Sequence, residues 1–179
     1  MVFVKTQIEG CYIINPKIFL DDRGHFYVPY NKKELDDCLG YEVNFIQDNS
    51  SSSRYGVIRG LHFQTGENAQ AKLVSCSHGL VLDVIVDIRK ESPSYGKYIS
   101  VHLSDFADNS VFIPRGCAHG FSVLTNKAKF NYKVDNHYNK ESESGIVYND
   151  PTLNINWGIP KGEEIVAERD KSFPSFLSL

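Results

Sequence analysis

No stretch of the 179 residues approaches the roughly 18 to 20 consecutive apolar residues that cross a bilayer, and the first ten residues hold no continuous apolar run. A cytoplasmic chain without a membrane partner is expected. Basic residues do not predominate: 19 Lys and Arg stand against 22 Asp and Glu, a net charge of -3, so no overall positive field favours nucleic acid. A small molecule is the default partner. Cysteine is sparse, and Cys11, Cys38, Cys76 and Cys117 form no C-x-x-C pair, which argues against a zinc ribbon, a thioredoxin-type site or a disulfide framework. Neither G-x-x-x-x-G-K-[ST] nor G-x-G-x-x-G occurs, so phosphate recognition must come from side chains. Arg23, in a turn, and Arg59, on a strand, are candidates because a guanidinium holds phosphate oxygens in a bidentate fork.

Helical periodicity is nearly absent too, with Asn31 to Leu39 the one segment that reads as a helix. What is present is a series of short apolar or alternating runs: Cys11 to Ile14, Asn44 to Gln47, Val57 to Gln64, Lys72 to Cys76, Leu80 to Ile88, Tyr98 to Leu103, Val111 to Ile113, Gly120 to Leu124, Lys129 to Val134 and Gly145 to Tyr148. Turn chemistry such as Asp22-Arg23-Gly24, Ser92-Pro93-Ser94 and Asn149-Asp150-Pro151 separates them, which predicts an all-β sandwich or barrel in one domain over residues 1–179. The run from Leu80 to Ile88 is too apolar for a half-exposed strand and reads as a central one, buried on both faces. Asp83 within it then needs a partner, because a carboxylate is costly to bury alone.

Other polar residues fall on predicted strands. Alternation places His62 and Gln64 on one face of Val57 to Gln64, with Arg59, Leu61 and Phe63 on the other. Lys72 opens the next strand, and an inward lysine is rare enough to suggest function. His119 follows the Pro114-Arg115-Gly116 turn, and Tyr132 lies among Phe130 to Lys133. Taken singly, each has an ordinary structural reading; together, His62, Lys72, Asp83, His119 and Tyr132 would line one cavity. A metal site is an alternative, because Pro114-x-Gly116-x-x-His119 resembles the second motif of metal-binding cupins. The first motif would be a His-x-His pair, where this chain reads His62-Phe63-Gln64, so no metal is expected.

Several segments in order resemble the dTDP-4-dehydrorhamnose 3,5-epimerase family: Phe19-x-Asp21-x-Arg23-Gly24, Gln47-Asp48-Asn49-x-Ser51, Arg59-Gly60-Leu61-His62-Phe63-Gln64, Ala69-Gln70-Ala71-Lys72-Leu73-Val74, Asp83-Val84-x-Val86-Asp87-x-Arg89, Ile113-Pro114-x-Gly116-x-Ala118-His119-Gly120-Phe121, Tyr132-Lys133 and Asn149-Asp150. The resemblance implies a cupin-type jelly roll, a homodimer with strand exchange near the N-terminus, and cofactor-independent epimerisation of a nucleotide-linked 4-keto-6-deoxyhexose. It further implies that His62 is the general base, backed by Asp170 in Glu168-Arg169-Asp170, that Lys72 stabilises the enolate oxygen, and that Tyr132 is the acid on the opposite face of the sugar. By the same pattern Arg23 and Arg59 would hold the pyrophosphate, while Gln47, Asn49, Phe26, Tyr138 and Glu143 would contact the nucleoside or neighbouring groups. Asp83 and His119 match further polar residues of the pocket. Val28 stands where many members carry a carboxylate, which leaves the base open. Runner-up readings are a single-site epimerase, action on another nucleotide or sugar, a sugar 3,4-ketoisomerase and a non-catalytic cupin.

Overall fold

Short runs punctuated by turns give strands and little else. In a computed structural model describing residues 1–179, the strands in chain order are β1 (Val2–Lys5), β2 (Tyr12–Asn15), β3 (Ile18–Asp21), β4 (Gly24–Tyr27), β5 (Gln47–Arg54), β6 (Val57–Gln64), β7 (Lys72–His78), β8 (Leu80–Asp87), β9 (Tyr98–Ser104), β10 (Ser110–Ile113), β11 (Cys117–Val123), β12 (Lys127–Val134), β13 (Glu143–Gly145) and β14 (Ile165–Val166). Helix α1 spans Lys32–Leu39 and the single-turn α2 spans Glu168–Lys171. One sheet runs in the order β1-β2-β10-β7-β12-β5 and the second in the order β13-β6-β11-β8-β9, while β14 lies parallel to β6.

The two sheets face each other across Val74, Ile85, Phe121, Phe130 and their neighbours. The outer face of the second sheet carries Leu82, Val84 and Val86 and is covered by Ile146, Trp157 and Phe176 of the C-terminal third. On the outer face of the first, Leu73 and Phe112 pack against Leu35 of α1 and Val43. Strand β8 therefore has apolar side chains on both faces, as its unbroken hydrophobic run requires. Each such side chain fully buried contributes about 1.5–3 kcal/mol, which makes β8 a stiff spine for whatever its neighbour β11 displays.

Local signals account for α1. The Asn31 side chain accepts the Glu34 N–H at 3.2 Å, and Gly40, at φ +77°, returns its N–H to Asp36 O at 2.8 Å. Lys32 pairs with Asp36, and Lys33 with Asp37, one turn on.

The structure corrects the sequence reading in several places: β1 and β14 lie outside every expected run, and β11 begins at Cys117 rather than Gly120 and so includes His119. The chain is irregular over 44–46, and the strand there is β5, which reads Gln-Asp-Asn-Ser-Ser-Ser-Ser-Arg. It is an edge strand, and neither of its faces packs in an apolar core, so it carries no apolar alternation to recognise. The expected strand from Gly145 to Tyr148 is instead β13, three residues earlier in its end, with Ile146 turning into the core. The hairpin β3–β4 was not anticipated at all. Its Phe19, Leu20 and Phe26 are exposed, with Phe19 and Phe26 opposite each other at 6.3 Å between ring centroids.

Candidate active site

A cavity of about 260 Å³ opens between the two sheets, and its walls differ in chemistry. His62 on β6 and His119 on β11 come from the second sheet; Lys72 on β7 and Tyr132 on β12 come from the first. His119 and His62 are direct cross-strand partners. Beyond them the β6–β11 register slips, so that Phe121 pairs with Arg59, and three steps along β6 match two along β11. Gly60 sits in that bulge at φ +121°, where a Cβ would lie 2.5 Å from Gly120 Cα; a Cβ on Gly120 would lie 2.6 Å from Arg59 O. Two glycines face to face are what this close approach of strands permits. The extra residue also reverses side-chain parity, which corrects the alternation argument: Arg59 and His62 line the same cavity, while Ile58 and Leu61 belong to the apolar outer cluster, and Phe63 packs in that cluster and also borders the cavity.

Each histidine has a buried carboxylate behind it. Asp170 on α2 places Oδ1 2.8 Å from His62 Nε2, and its Oδ2 accepts the Gly60 N–H at 3.0 Å. Burial pushes the Asp170 carboxyl up, but the His62 ring and the Gly60 N–H outweigh it and hold the group below the usual carboxylate range. An ionised Asp170 accepts a hydrogen bond from His62 Nε2–H and so leaves the ring's lone pair on Nδ1. Asp83 on β8 repeats the arrangement, with Oδ1 2.7 Å from His119 Nε2. Burial lowers the His119 ring pKa despite the carboxylate, so His119 is a neutral donor or acceptor rather than a cation.

Lys72 is enclosed to the same degree. Desolvation brings its ammonium down from 10.5 to about 8, with the Asp83 carboxylate opposing the shift. Tyr132 is pushed up by burial, against the opposing charge of Arg59, and stays a neutral O–H donor at neutral pH. Phe130 stacks on Phe121 at 4.1 Å and lies 5.8 Å from the His119 ring, giving the cavity an apolar floor in which charge is poorly screened.

Around this centre are groups suited to a charged ligand. The Arg59 guanidinium donates through Nε to Ser53 Oγ at 3.1 Å, and the Ser51 hydroxyl is buried with no partner within the chain. Tyr138 donates its O–H to Glu143 at 2.9 Å, and both Glu143 oxygens accept from Arg169 Nη1, at 2.9 and 3.0 Å. Arg169 was missed in the sequence. It lies 3.3 Å from His62 Nε2, brought there by its place next to Asp170, which is the only signal that pointed to it.

Five residues expected at the ligand do not line the cavity of this chain. Asp83 is fully buried behind the cavity wall, where it hydrogen-bonds His119 and its charge acts on Lys72. Gln47 and Asn49, on edge strand β5, hydrogen-bond to each other at 2.7 Å. Arg23 and Phe26 are on the exposed β3–β4 hairpin, where Arg23 pairs with Asp21 at 2.5 Å. Gln64, the residue in place of a second metal-ligand histidine, does line the cavity, but its polar atoms tie loops: its amide donates to Asn68 O and His137 O, and its oxygen accepts the Asn139 N–H.

A family model described as dTDP-4-dehydrorhamnose 3,5-epimerase matches residues 5–178. The enzyme of that description from Salmonella typhimurium is 46% identical over 168 residues, covering 94% of this chain and 92% of its own. The crystal structure of dTDP-4-dehydrorhamnose 3,5-epimerase from Elizabethkingia anophelis superposes with a TM-score of 0.97 at 49% identity, covering 99% of this chain and 97% of that one. The Legionella pneumophila dTDP-6-deoxy-D-glucose-3,5-epimerase, in complex with dTDP-4-keto-L-rhamnose, superposes at 0.91 with 43% identity, over 98% and 93% of the two chains.

Proposed function

The chain belongs to the dTDP-4-dehydrorhamnose 3,5-epimerase family, and from that premise we propose that it converts dTDP-4-dehydro-6-deoxy-D-glucose to dTDP-4-dehydro-L-rhamnose without a cofactor. The observation that carries the reading is the division of acid and base between facing sheets: His62 on one wall of the cavity, Tyr132 on the other, and Lys72 in the same space.

A C–H bond next to a ketone is a weak acid, and its removal needs a base at the carbon and positive charge at the carbonyl oxygen. His62 Nδ1 takes the proton, and the C–H electron pair moves into the C–C bond as the carbonyl pair moves to O4. The Lys72 ammonium meets the enolate oxygen, and Asp170 supports the imidazolium that forms. Tyr132 then delivers its O–H proton to the opposite face of the carbon, the enolate collapses to the ketone, and both residues return to their starting states by exchange with water. C3 and C5 both flank C4, so one oxyanion site serves both inversions. Arg59 holds the pyrophosphate.

This mechanism needs Lys72 charged. Its ammonium is fully protonated well below about 8 and neutral above, so turnover falls as the pH rises through that value. A kcat profile measured from pH 6 to 10 is expected to show this limb. Lys72→Arg, always charged, should lose the limb from whatever activity it retains. A flat profile to pH 10 in the unsubstituted protein would remove Lys72 from the role.

The exposed apolar ribbon β3–β4 supports a homodimer with strand exchange near the N-terminus. A two-stranded ribbon with Phe19, Leu20 and Phe26 in water is marginal alone. Docked on a second copy, Arg23 and Phe26 would serve the nucleotide end of that copy's cavity, which explains why they stand apart from their own.

The activity itself is tested by the configuration of the product. Borohydride reduction after incubation with dTDP-4-dehydro-6-deoxy-D-glucose should give 6-deoxy-L-mannose and 6-deoxy-L-talose. Recovery of 6-deoxy-D-allose and 6-deoxy-D-gulose would mean inversion at C3 alone, and 6-deoxy-D-glucose with 6-deoxy-D-galactose would mean no reaction.

A further inference from the structure

The carboxylate behind His62 arrives on a part of the chain with little regular structure of its own. Helix α2 is a single turn whose N-cap, Ala167, provides no side-chain hydrogen bond, and a helix this short has no independent stability. Upstream it is fixed by the two-residue β14 on β6. Downstream, something else must hold it, and the contacts converge on one buried residue that the mechanism does not use.

We infer that Asp150 is a positioning residue for the His62–Asp170 pair, acting by fastening the C-terminal segment that carries Asp170. Asp150 is 1% exposed, and both of its oxygens are committed to backbone N–H groups. Oδ1 accepts from Thr152 and Leu153, each at 2.9 Å, which fixes the turn after Asn149. Oδ2 accepts from Phe176 at 2.8 Å, which ties that turn to the last residues of the chain. The Phe176 side chain enters the outer cluster of the second sheet, 5.4 Å from the Tyr95 ring. Between this tether and Asp170, Pro174 O accepts the Val147 N–H at 3.0 Å, and Phe173 packs so closely on Gly145 that a Cβ there would lie 2.5 Å from its ring. The Phe173 ring in turn meets the His62 ring edge-on at 5.7 Å. The path from Asp150 to the base is thus continuous, through Phe176, Pro174 and Phe173 to His62 and Asp170.

Asn at position 150 cannot reproduce the arrangement, because its NH₂ would face an N–H on one side or the other. The inference rests on the reading of His62 as base, so its test includes a signal independent of turnover: the downfield proton resonance of His62 Nε2–H donated to Asp170, assigned by its loss in Asp170→Asn. Asp150→Asn is expected to weaken or abolish that resonance, to lower kcat about ten- to a hundredfold as small misplacements of catalytic groups do, and to change KM by less than about twofold. In an Asp170→Asn background it should cause no further loss of kcat, since the residue being positioned is already gone. Should Asp150→Asn fail to fold, Phe176→Ala removes the side chain that seats the far end of the tether in the outer cluster, while the Asp150 turn and the Phe176 N–H remain, with the same expected signature. A resonance and kcat unchanged in both variants, or an equal further loss in the Asp170→Asn background, would overturn the inference. Absence of activity in the unsubstituted protein, with the resonance still responding to Asp150→Asn, would instead count against the proposed function alone.

Discussion

His62→Asn is expected to lower turnover by roughly 10²–10⁴-fold, the usual contribution of a positioned general base, while nucleotide-sugar affinity stays within about twofold. Asparagine is the informative replacement. Its amide keeps a polar group in the cavity but stops short of the Nε2 position, and Asp170 retains the Gly60 N–H on Oδ2 and Arg169 Nε, 3.4 Å from Oδ1, so the C-terminal segment keeps its seat. Alanine would also empty the space that the ring fills beside Phe173, and would mix a packing defect with the chemical one. Affinity is spared because the groups that would grip the ligand, Arg59 and the Tyr138–Glu143–Arg169 chain, belong to other positions along the cavity. Titration calorimetry with dTDP and a steady-state assay check the two halves separately. Full turnover in His62→Asn would mean that the base is some other residue.

Tyr132→Phe separates removal of the proton from its return. The phenyl ring still packs against Phe130, 6.3 Å away, and His62 still abstracts. With Lys72 engaged at O4, the enolate then finds no acid at the opposite face of the carbon and is reprotonated from the side it left. Substrate protons should therefore exchange with solvent while the configuration is kept, and formation of inverted product should fall by about 10²-fold. Loss of exchange and inversion in equal measure would assign Tyr132 to abstraction or to binding.

How far the sequence could be read follows from where its signals are local. Strand β8 was legible because burial on both faces leaves no polar position except Asp83 and Asp87, and α1 was legible because Asn31 and Gly40 mark its ends. His62, Lys72 and His119 could be gathered because each is a polar residue beside apolar neighbours on a short strand, and Tyr132 because the family resemblance singles it out on a strand that also carries Lys127, Lys129, Asn131 and Lys133. The face of Arg59 could not be read, since the bulge at Gly60 reverses parity, and a bulge depends on the opposing strand, where Gly120 admits the close approach. Strand β5 was missed because a strand that lines a polar cavity at a sheet edge has no hydrophobic period. The hairpin β3–β4 was missed because its apolar residues have nothing in their own chain to pack on. Arg169 and the tether at Asp150 depend on contacts over long sequence separations that no local pattern encodes.

The central claim is that abstraction and return of the proton occur from facing sheets. Proton NMR of dTDP-4-dehydro-6-deoxy-D-glucose in deuterium oxide tests it most directly, run in parallel with the unsubstituted protein, His62→Asn and Tyr132→Phe. The account expects the C3 and C5 proton signals to vanish with inversion in the first, to persist in the second, and to vanish without inversion in the third. Exchange in His62→Asn at the rate of the unsubstituted protein, or inversion undiminished in Tyr132→Phe, would contradict it.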